Sequence, residues 1–358
     1  MKRIKGTLFL LTAVLTLTLA ACGTPEPAPA PEDEAAAAQT ENTESAVQFG
    51  AVKADGFLMD YFRFGEGEKT LVILPGLSVK SILLSAEGVA AGFRPYTEDY
   101  TTYVFDRPKD PPAGYSIRDL ARDTAEAFDR LGLRDVDLYG ASMGPMIGQV
   151  LAMERPDLVH KLVMGSTAAR SGERSDGAMA AWIALAEQGD LEGLAARFGQ
   201  DVYSEDFYRQ YADQILASVE GADEEDLDRF VTYAKAIQDF DVYDDLDQIR
   251  CPVLVLGADE DKLFGAEGPL EIRDKLGCDC YIYEGYAHAV YDEAPDFLDR
   301  VFAFFAECPA GKQNIRKGPR GTAHCCASRA VFLIGSQVLL AKDRITFAGP
   351  RLPAAPAR

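Results

Sequence analysis

The stretch VDLYGASMG, residues 136–144, decides the fold, because it places Ser142 between glycines where a β-rich run changes into a helical one. Residues 136–139 have the composition of a buried strand, and residues 146–154 follow with helical spacing. A serine on such a tight turn projects its hydroxyl above the sheet, and small neighbours let the backbone pass without a Cβ clash. The first N–H groups of the following helix, with the positive end of its dipole, point toward the site of this serine. The stretch therefore predicts a nucleophilic serine.

Short strands and helices alternate on both sides of this stretch. Six runs are apolar over nearly their whole length, which is typical of strands covered on both faces. Residues 57–64 alternate in polarity instead and predict an element of an antiparallel edge hairpin. Between the strands, Ser116 and Asp119 predict the start of a helix that Gly132 ends. This order predicts an α/β fold with a mostly parallel central sheet and helices on both faces. The six runs are residues 70–74, 101–105, 136–139, 161–164, 252–256 and 280–283.

Residues 171–250 interrupt the alternation, because they have helical spacing and no convincing strand. They hold 20 acidic and six basic side chains. An insertion between two strands at this point predicts a helical cap over the carboxyl edge of the sheet. The alternative is a surface subdomain that has no gating role. The folded domain that contains this insertion is predicted to extend over residues 47–308.

Residues 136–144 resemble the nucleophile elbow of the α/β-hydrolase superfamily, and further motifs within residues 57–307 agree with this resemblance in order and spacing. The LPGL stretch at residues 74–77 follows an early strand and is similar to the oxyanion loop of that family, with proline where histidine is common. The resemblance implies that the backbone N–H groups of Leu77 and Met143 form the oxyanion hole.

Two later loops are similar to those that carry the acid and the histidine of the family's catalytic triad. One contains both Asp259 and Asp261, and the other ends in His288. The order serine, aspartate, histidine along the chain is the order of this fold. The resemblance therefore implies a triad of Ser142, Asp261 and His288. Asp261 is preferred because it precedes a Lys-Leu pair, as the family's acid often precedes a basic and an aliphatic residue, and Asp259 remains the alternative.

The composition limits the chemistry further. The chain has 57 acidic and 36 basic side chains and a net charge of −21, which disfavours a nucleic-acid partner. No pair of cysteines has the C-x-x-C spacing, so neither a zinc site nor another metal site is predicted. Cys278 and Cys280 are interpreted as free thiols or packing residues. Of the three histidines, His160 precedes a strand in a polar segment and His324 lies in the last fifty residues.

These features together predict a serine hydrolase that forms an acyl-enzyme on Ser142 and needs no organic cofactor. The negative cap disfavours strongly anionic substrates, so small neutral or apolar carboxylic esters are expected. One alternative is an aminopeptidase or amidase similar to proline iminopeptidases, in which the acidic cap binds a peptide amino terminus. The other alternative is a hydrolase-shaped binding module without activity. The sequence leaves the oligomeric state open.

The beginning of the chain predicts export. Basic residues precede an apolar run over residues 8–21, which is shorter than a membrane-spanning helix and is typical of a signal peptide over residues 1–21. The following Cys22 completes a stretch that resembles the lipobox of bacterial lipoproteins. This resemblance implies a lipid such as palmitate on Cys22 and a membrane-anchored, extracytoplasmic protein. Ordinary secretion is the alternative. Residues 22–46, rich in Pro, Ala and Glu, predict a disordered tether.

The end of the chain has the opposite charge. Residues 309–358 hold nine basic side chains and one acidic side chain, whereas the rest of the chain is strongly acidic. So abrupt a reversal predicts a disordered or non-native extension, such as a translated frameshift. The alternative is a basic arm that binds anionic surface polymers.

Overall fold

The computed structural model describes residues 47–307. The predicted signal peptide at residues 1–21, the tether at residues 22–46 with Cys22, and the basic segment at residues 309–358 lie outside the described residues, as does His324. Residue 308, the predicted end of the folded domain, also lies outside them.

Eight strands of the described residues form one sheet, with the spatial order β1-β2-β4-β3-β5-β6-β7-β8. The pairings of β1 with β2 and of β2 with β4 are antiparallel, and all the others are parallel. Helices flank the sheet, and the predicted α/β class with a mostly parallel sheet is confirmed. The strands are β1 (Gln48–Ala54), β2 (Phe57–Phe64), β3 (Lys69–Leu74), β4 (Tyr100–Phe105), β5 (Val136–Ala141), β6 (Val159–Gly165), β7 (Val253–Ala258) and β8 (Asp279–Tyr283).

The prediction that residues 57–64 belong to an antiparallel edge hairpin is confirmed, because β1 and β2 form a hairpin at one edge of the sheet. β2 pairs with β4, where Tyr61 lies opposite Phe105, and on its other side β1 pairs with it along the whole length of β1. β1 is the edge strand, and among its residues only Val52 is buried. A strand that buries one side chain carries no apolar pattern, which is why the sequence did not reveal it.

The helices follow the predicted alternation. α2 begins at a capping box in which Ser116 and Asp119 bond reciprocally, and it ends at Gly132 in the left-handed conformation, as predicted. α3 begins at Met143, three residues before the predicted start, because Pro145 is accommodated in the first turn, where no intrahelical donor is needed. The helices are α1 (Ala86–Gly92), α2 (Ile117–Leu131), α3 (Met143–Glu154), α4 (Glu173–Glu187), α5 (Leu191–Val202), α6 (Glu205–Val219), α7 (Glu224–Gln238), α8 (Glu267–Leu276), α9 (Val290–Glu293) and α10 (Phe297–Ala306).

Helices α4 to α7 fill the stretch between β6 and β7 in which a helical insertion was predicted. The chain enters and leaves this insertion at one place. The N–H of Ser171 donates to the carbonyl of Phe240, and the N–H of Val242 donates to the carbonyl of Ala169, each over 2.8 Å. The insertion is therefore tied at its base to the carboxyl end of β6. None of the helices within residues 47–307 combines the length and apolar character that crossing a bilayer requires.

Candidate active site

Ser142 stands between the end of β5 and the start of α3, at the carboxyl edge of the sheet. Its backbone has φ 57° and ψ −105°, a region that side-chain-bearing residues rarely occupy. Its N–H donates to the carbonyl of Gly165 on the neighbouring strand over 2.8 Å. The strained turn is therefore held by the sheet itself, and it lifts the hydroxyl above the strand ends.

The glycines that flank Ser142 are required by the closeness of the surrounding backbone. A Cβ at Gly140 would lie 2.5 Å from the nitrogen of Pro145. A Cβ at Gly144 would overlap the carbonyl oxygen of Leu74, at the end of β3. The first turn of α3 thus passes directly against β3, and only a glycine permits this approach. The two glycines of the motif are therefore explained by the lack of room for a side chain at these positions.

Ser142, His288 and Asp261 are brought together in one line of hydrogen bonds. His288 Nε2 lies 2.9 Å from Ser142 Oγ, and His288 Nδ1 lies 2.9 Å from Asp261 Oδ2. Asp261 and His288 are only 3% and 1% exposed. The other carboxylate oxygen, Asp261 Oδ1, accepts from the N–H groups of Leu263 and Phe264 over 2.7 and 3.1 Å. This geometry allows the imidazole to accept the serine proton while the carboxylate fixes its tautomer.

The alternative acid, Asp259, does not reach the imidazole. Its Oδ1 accepts instead from the N–H of Gly285 over 2.7 Å, and its own N–H donates to the carbonyl of Tyr283 over 3.0 Å. Both bonds link the acid-bearing loop to the loop that carries His288. Asp259 is therefore placed to support the position of the histidine, and Asp261 is its hydrogen-bond partner.

A catalytic cavity of about 350 Å³ opens above Ser142. The backbone N–H groups of Leu77 and Met143 belong to residues that line it, and within residues 47–307 neither N–H has a hydrogen-bond partner. Apart from Ser142 and His288, every lining side chain is apolar or aromatic. Helices α4, α5 and α7 contribute five of them, so the insertion covers the site. The other lining residues are Leu77, Met143, Met146, Met179, Trp182, Phe198, Val202, Ile237, Leu263, Phe264 and Tyr291.

Arg107, which follows β4 and is only 3% exposed, was not among the predicted site residues. Its guanidinium donates to Ser78 Oγ over 2.6 Å and to the carbonyls of Gly76 and Ser78 over 3.4 and 3.3 Å. Burial lowers the pKa of Arg107, and the carboxylate of Asp106 opposes that change. Arg107 thus holds the loop that presents Leu77. A charged residue directly after a buried strand, in the segment Asp106-Arg107-Pro108, is the signal that points to it.

Other candidate groups lie away from Ser142. His160 Nδ1 is 2.8 Å from Asp137 Oδ1 at the beginning of β5, which is the opposite edge of the sheet. Cys251, Cys278 and Cys280 are free thiols, and burial raises the pKa of Cys251 to about 11. Among the described residues, no three His, Cys, Asp or Glu side chains form a group that could hold a metal ion.

Comparison with known proteins agrees with this arrangement. Residues 71–301 match the family model described as "Alpha/beta hydrolase family". A protein from Stutzerimonas stutzeri named "Putative carbamate hydrolase RutD" is 27% identical over 248 residues, which cover 63% of this chain and 88% of that protein. The homoserine O-acetyltransferase of Deinococcus radiodurans is 33% identical over 214 residues, covering 54% of this chain and 64% of that protein.

A solved structure shares the fold. The crystal structure of the enol-lactonase from Burkholderia xenovorans LB400 has a TM-score of 0.63 and 20% sequence identity, and the match covers 72% of this chain and all of that one. At this level of identity the likeness concerns the fold alone.

The lack of space at Gly144 predicts that one added methyl group lowers the stability of the protein markedly. Gly144→Ala is expected to lower the free energy of unfolding by about 2–3 kcal/mol, because α3 must move away from β3. Gly177→Ala is the matched control, since Gly177 is exposed in α4 with open space at its Cβ, and it is expected to stabilise by about 0.5–1 kcal/mol. Urea denaturation measures both values. Equal stability of Gly144→Ala and the unmodified protein would contradict the argument.

The different partners of the two aspartates predict different effects of asparagine. In Asp261→Asn the side-chain amide faces His288 Nδ1 and forces the wrong tautomer, so labelling of Ser142 by a fluorophosphonate probe should slow by about 10³-fold or more. In Asp259→Asn the remaining carbonyl oxygen still accepts from Gly285, and the rate should fall less than about tenfold. The reverse order of effects would identify Asp259 as the acid.

Proposed function

We propose that this chain, which belongs to the alpha/beta hydrolase family, is a serine hydrolase that cleaves carboxylic esters with an apolar acyl group. The observation that supports this substrate class best is the lining of the catalytic cavity. Around Ser142 and His288 it consists of apolar and aromatic side chains, and no Lys, Arg, Asp or Glu is among its lining residues. Such a wall favours an uncharged substrate, because a charge would lose its hydration there without gaining a partner.

The proposed reaction forms and breaks an acyl-enzyme. His288 Nε2 takes the proton of Ser142 as the serine oxygen attacks the ester carbonyl, and Asp261 stabilises the imidazolium that results. The N–H groups of Leu77 and Met143 donate to the oxyanion of the tetrahedral intermediate. His288 then protonates the departing alkoxide. A water molecule, deprotonated by His288, attacks the acyl-enzyme in the same way and releases the carboxylic acid with Ser142 restored.

The names of the relatives are consistent with chemistry at an acyl carbon. Carbamate hydrolysis and acetyl transfer to homoserine each break or form a bond between a carbonyl carbon and oxygen or nitrogen. The aminopeptidase alternative needs an anionic group near the substrate's ammonium. The 20 acidic side chains of the insertion do not supply one, because none of them lines the catalytic cavity. Ester cleavage is therefore the favoured activity.

A comparison of an ester with an anilide tests the substrate class. Hydrolysis of p-nitrophenyl butyrate is expected to exceed that of alanine p-nitroanilide by at least about 10²-fold in kcat/KM, which corresponds to about 2.7 kcal/mol of transition-state stabilisation. Ser142→Ala should lower the ester rate by about 10⁴-fold or more. A preference for the anilide would establish the aminopeptidase alternative, and absence of Ser142-dependent turnover of either compound would establish the binding module.

We also propose that the protein is anchored by a lipid on Cys22 at the extracytoplasmic side of a bacterial membrane. The support is the sequence: a basic start, an apolar run of signal-peptide length and small residues before the cysteine. A polar, proline-rich segment of about twenty residues then separates Cys22 from the folded domain and would let the catalytic cavity work away from the lipid surface.

Metabolic labelling tests the anchor. When the full chain is expressed in a bacterium that processes lipoproteins, radioactive palmitate should be incorporated and the protein should sediment with membranes. Cys22→Ala is expected to abolish both, because lipid attachment requires the thiol. Cys251→Ala, which removes a half-buried thiol of the folded domain, is the matched control and should leave labelling intact. Incorporation that persists in Cys22→Ala would refute the proposal.

A further inference from the structure

A second cavity lies beside the catalytic one, between the loop that follows Leu77 and helices α5 and α6. It encloses about 380 Å³, part of it open to solvent. α6 departs from helical geometry at Tyr211, and the segment after this point supplies the wall that faces α5. The lining residues are Ser78, Val79, Lys80, Leu194, Ala195, Phe198, Ile215, Ser218 and Val219.

The polar groups that line the second cavity already have partners. Ser78 Oγ donates to the carbonyl of Lys80 over 2.8 Å and accepts from Arg107. Ser218 Oγ donates to a carbonyl of its own helix over 2.7 Å. Lys80 Nζ donates to the carbonyl of Glu220 over 2.9 Å and ties the loop to the end of α6. The cavity therefore offers a ligand mainly aliphatic and aromatic surface, which suits an alkyl chain better than a polar group.

Phe198 is the one side chain that lines both cavities. Its ring lies 4.6 Å from that of Trp182, which lines only the catalytic cavity. The next residue, Gly199, lets α5 pack closely on α6, because a Cβ there would lie 2.7 Å from the ring of Tyr208. Phe198 itself is half-buried. Displacing the Phe198 ring therefore needs only rotation about its side-chain torsions, without a shift of the helix.

We propose that the second cavity is an acyl-chain pocket and that the ring of Phe198 is the partition that restricts entry to it from the catalytic cavity. The inference rests on the proposed ester hydrolysis and refines its substrate class. Short acyl groups fit beside Ser142 alone, whereas a long unbranched chain must displace the Phe198 ring to bury its distal methylenes against Leu194, Ile215 and Val219. Phe198 therefore sets the length of acyl chain that the protein prefers.

The test compares p-nitrophenyl decanoate with p-nitrophenyl butyrate. In Phe198→Ala the ratio of their kcat/KM values should rise about tenfold, the effect of burying about two further methylene groups. In the same background, Ser218→Phe fills the second cavity and should return the ratio to within about twofold of its original value. Phe207→Ala is the matched control, because Phe207 stacks on Tyr203 and lines neither cavity. It should leave the ratio unchanged.

An unchanged ratio in Phe198→Ala overturns the proposal, and so does a gain that Ser218→Phe fails to reverse. If Phe198→Ala does not fold, Phe198→Leu replaces it, with a smaller rise in the ratio expected because the leucine side chain still fills part of the partition.

A binding measurement separates failure of this proposal from failure of the proposed ester hydrolysis. Trp182 is the single tryptophan of the chain and contacts Phe198, so its fluorescence reports on the partition. In Ser142→Ala protein, where turnover is removed, Phe198→Ala should tighten the binding of methyl decanoate about tenfold relative to that of methyl butyrate, which is compared because Phe198 also lines the catalytic cavity. The same change for both esters overturns the acyl-chain pocket even when hydrolysis is absent, and a selective change supports it.

Discussion

The first turn of α3 lies against the end of β3 with no room for a side chain at Gly144, and the rest of the site depends on this contact. Leu74 ends β3 and leads directly into the loop that presents Leu77, whereas Gly144 directly follows Met143. The contact therefore fixes how far apart the N–H groups of Leu77 and Met143, the proposed oxyanion donors, stand. It also fixes the strained turn at Ser142, since that residue connects β5 to the same helix. Backbone donors held in this way need no rearrangement when charge develops.

Much of the fold and the central part of the site were predictable from the sequence, for identifiable reasons. The turn around Ser142 requires glycines, and strands buried on both faces require apolar runs, so both features can be recognised in the sequence. β1 leaves no such pattern, because it buries one side chain. Asp259 and Asp261 lie two residues apart in one loop, and what distinguishes them is a distant contact, the bond from Gly285 to Asp259. Arg107 was not predicted because several of its hydrogen-bond partners are backbone carbonyls. Every residue has such a carbonyl, so these contacts leave no motif in the sequence.

The charge of the insertion and the polarity of the cavity beneath it are separate properties. The acidic side chains of α4 to α7 do not enter the lining, and the insertion presents Met179, Trp182, Phe198 and Ile237 to the cavity. The net charge of the insertion thus determines which solutes its outer surface repels, whereas the side chains that line the catalytic cavity determine which substrates fit there. An apolar lining also excludes water from the oxyanion, so that two N–H donors act in a medium of low dielectric constant, where each stabilises charge more strongly than it would in water.

Helix α5 carries the proposed partition, Phe198, and also contacts both loops of the proposed triad. The carbonyl of its last residue, Val202, accepts from the N–H of Ala289, directly after His288, over 2.9 Å. The carbonyl of Gln200 accepts from Lys262, directly after Asp261, over 2.6 Å. A movement of the whole helix would therefore pull on both loops that hold the His288–Asp261 pair. Phe198 lies about one turn earlier in the same helix. A partition that opens by rotating one ring leaves these two bonds intact, so chains of different length can be accommodated while the hydrogen-bonded line from Ser142 to Asp261 keeps its geometry.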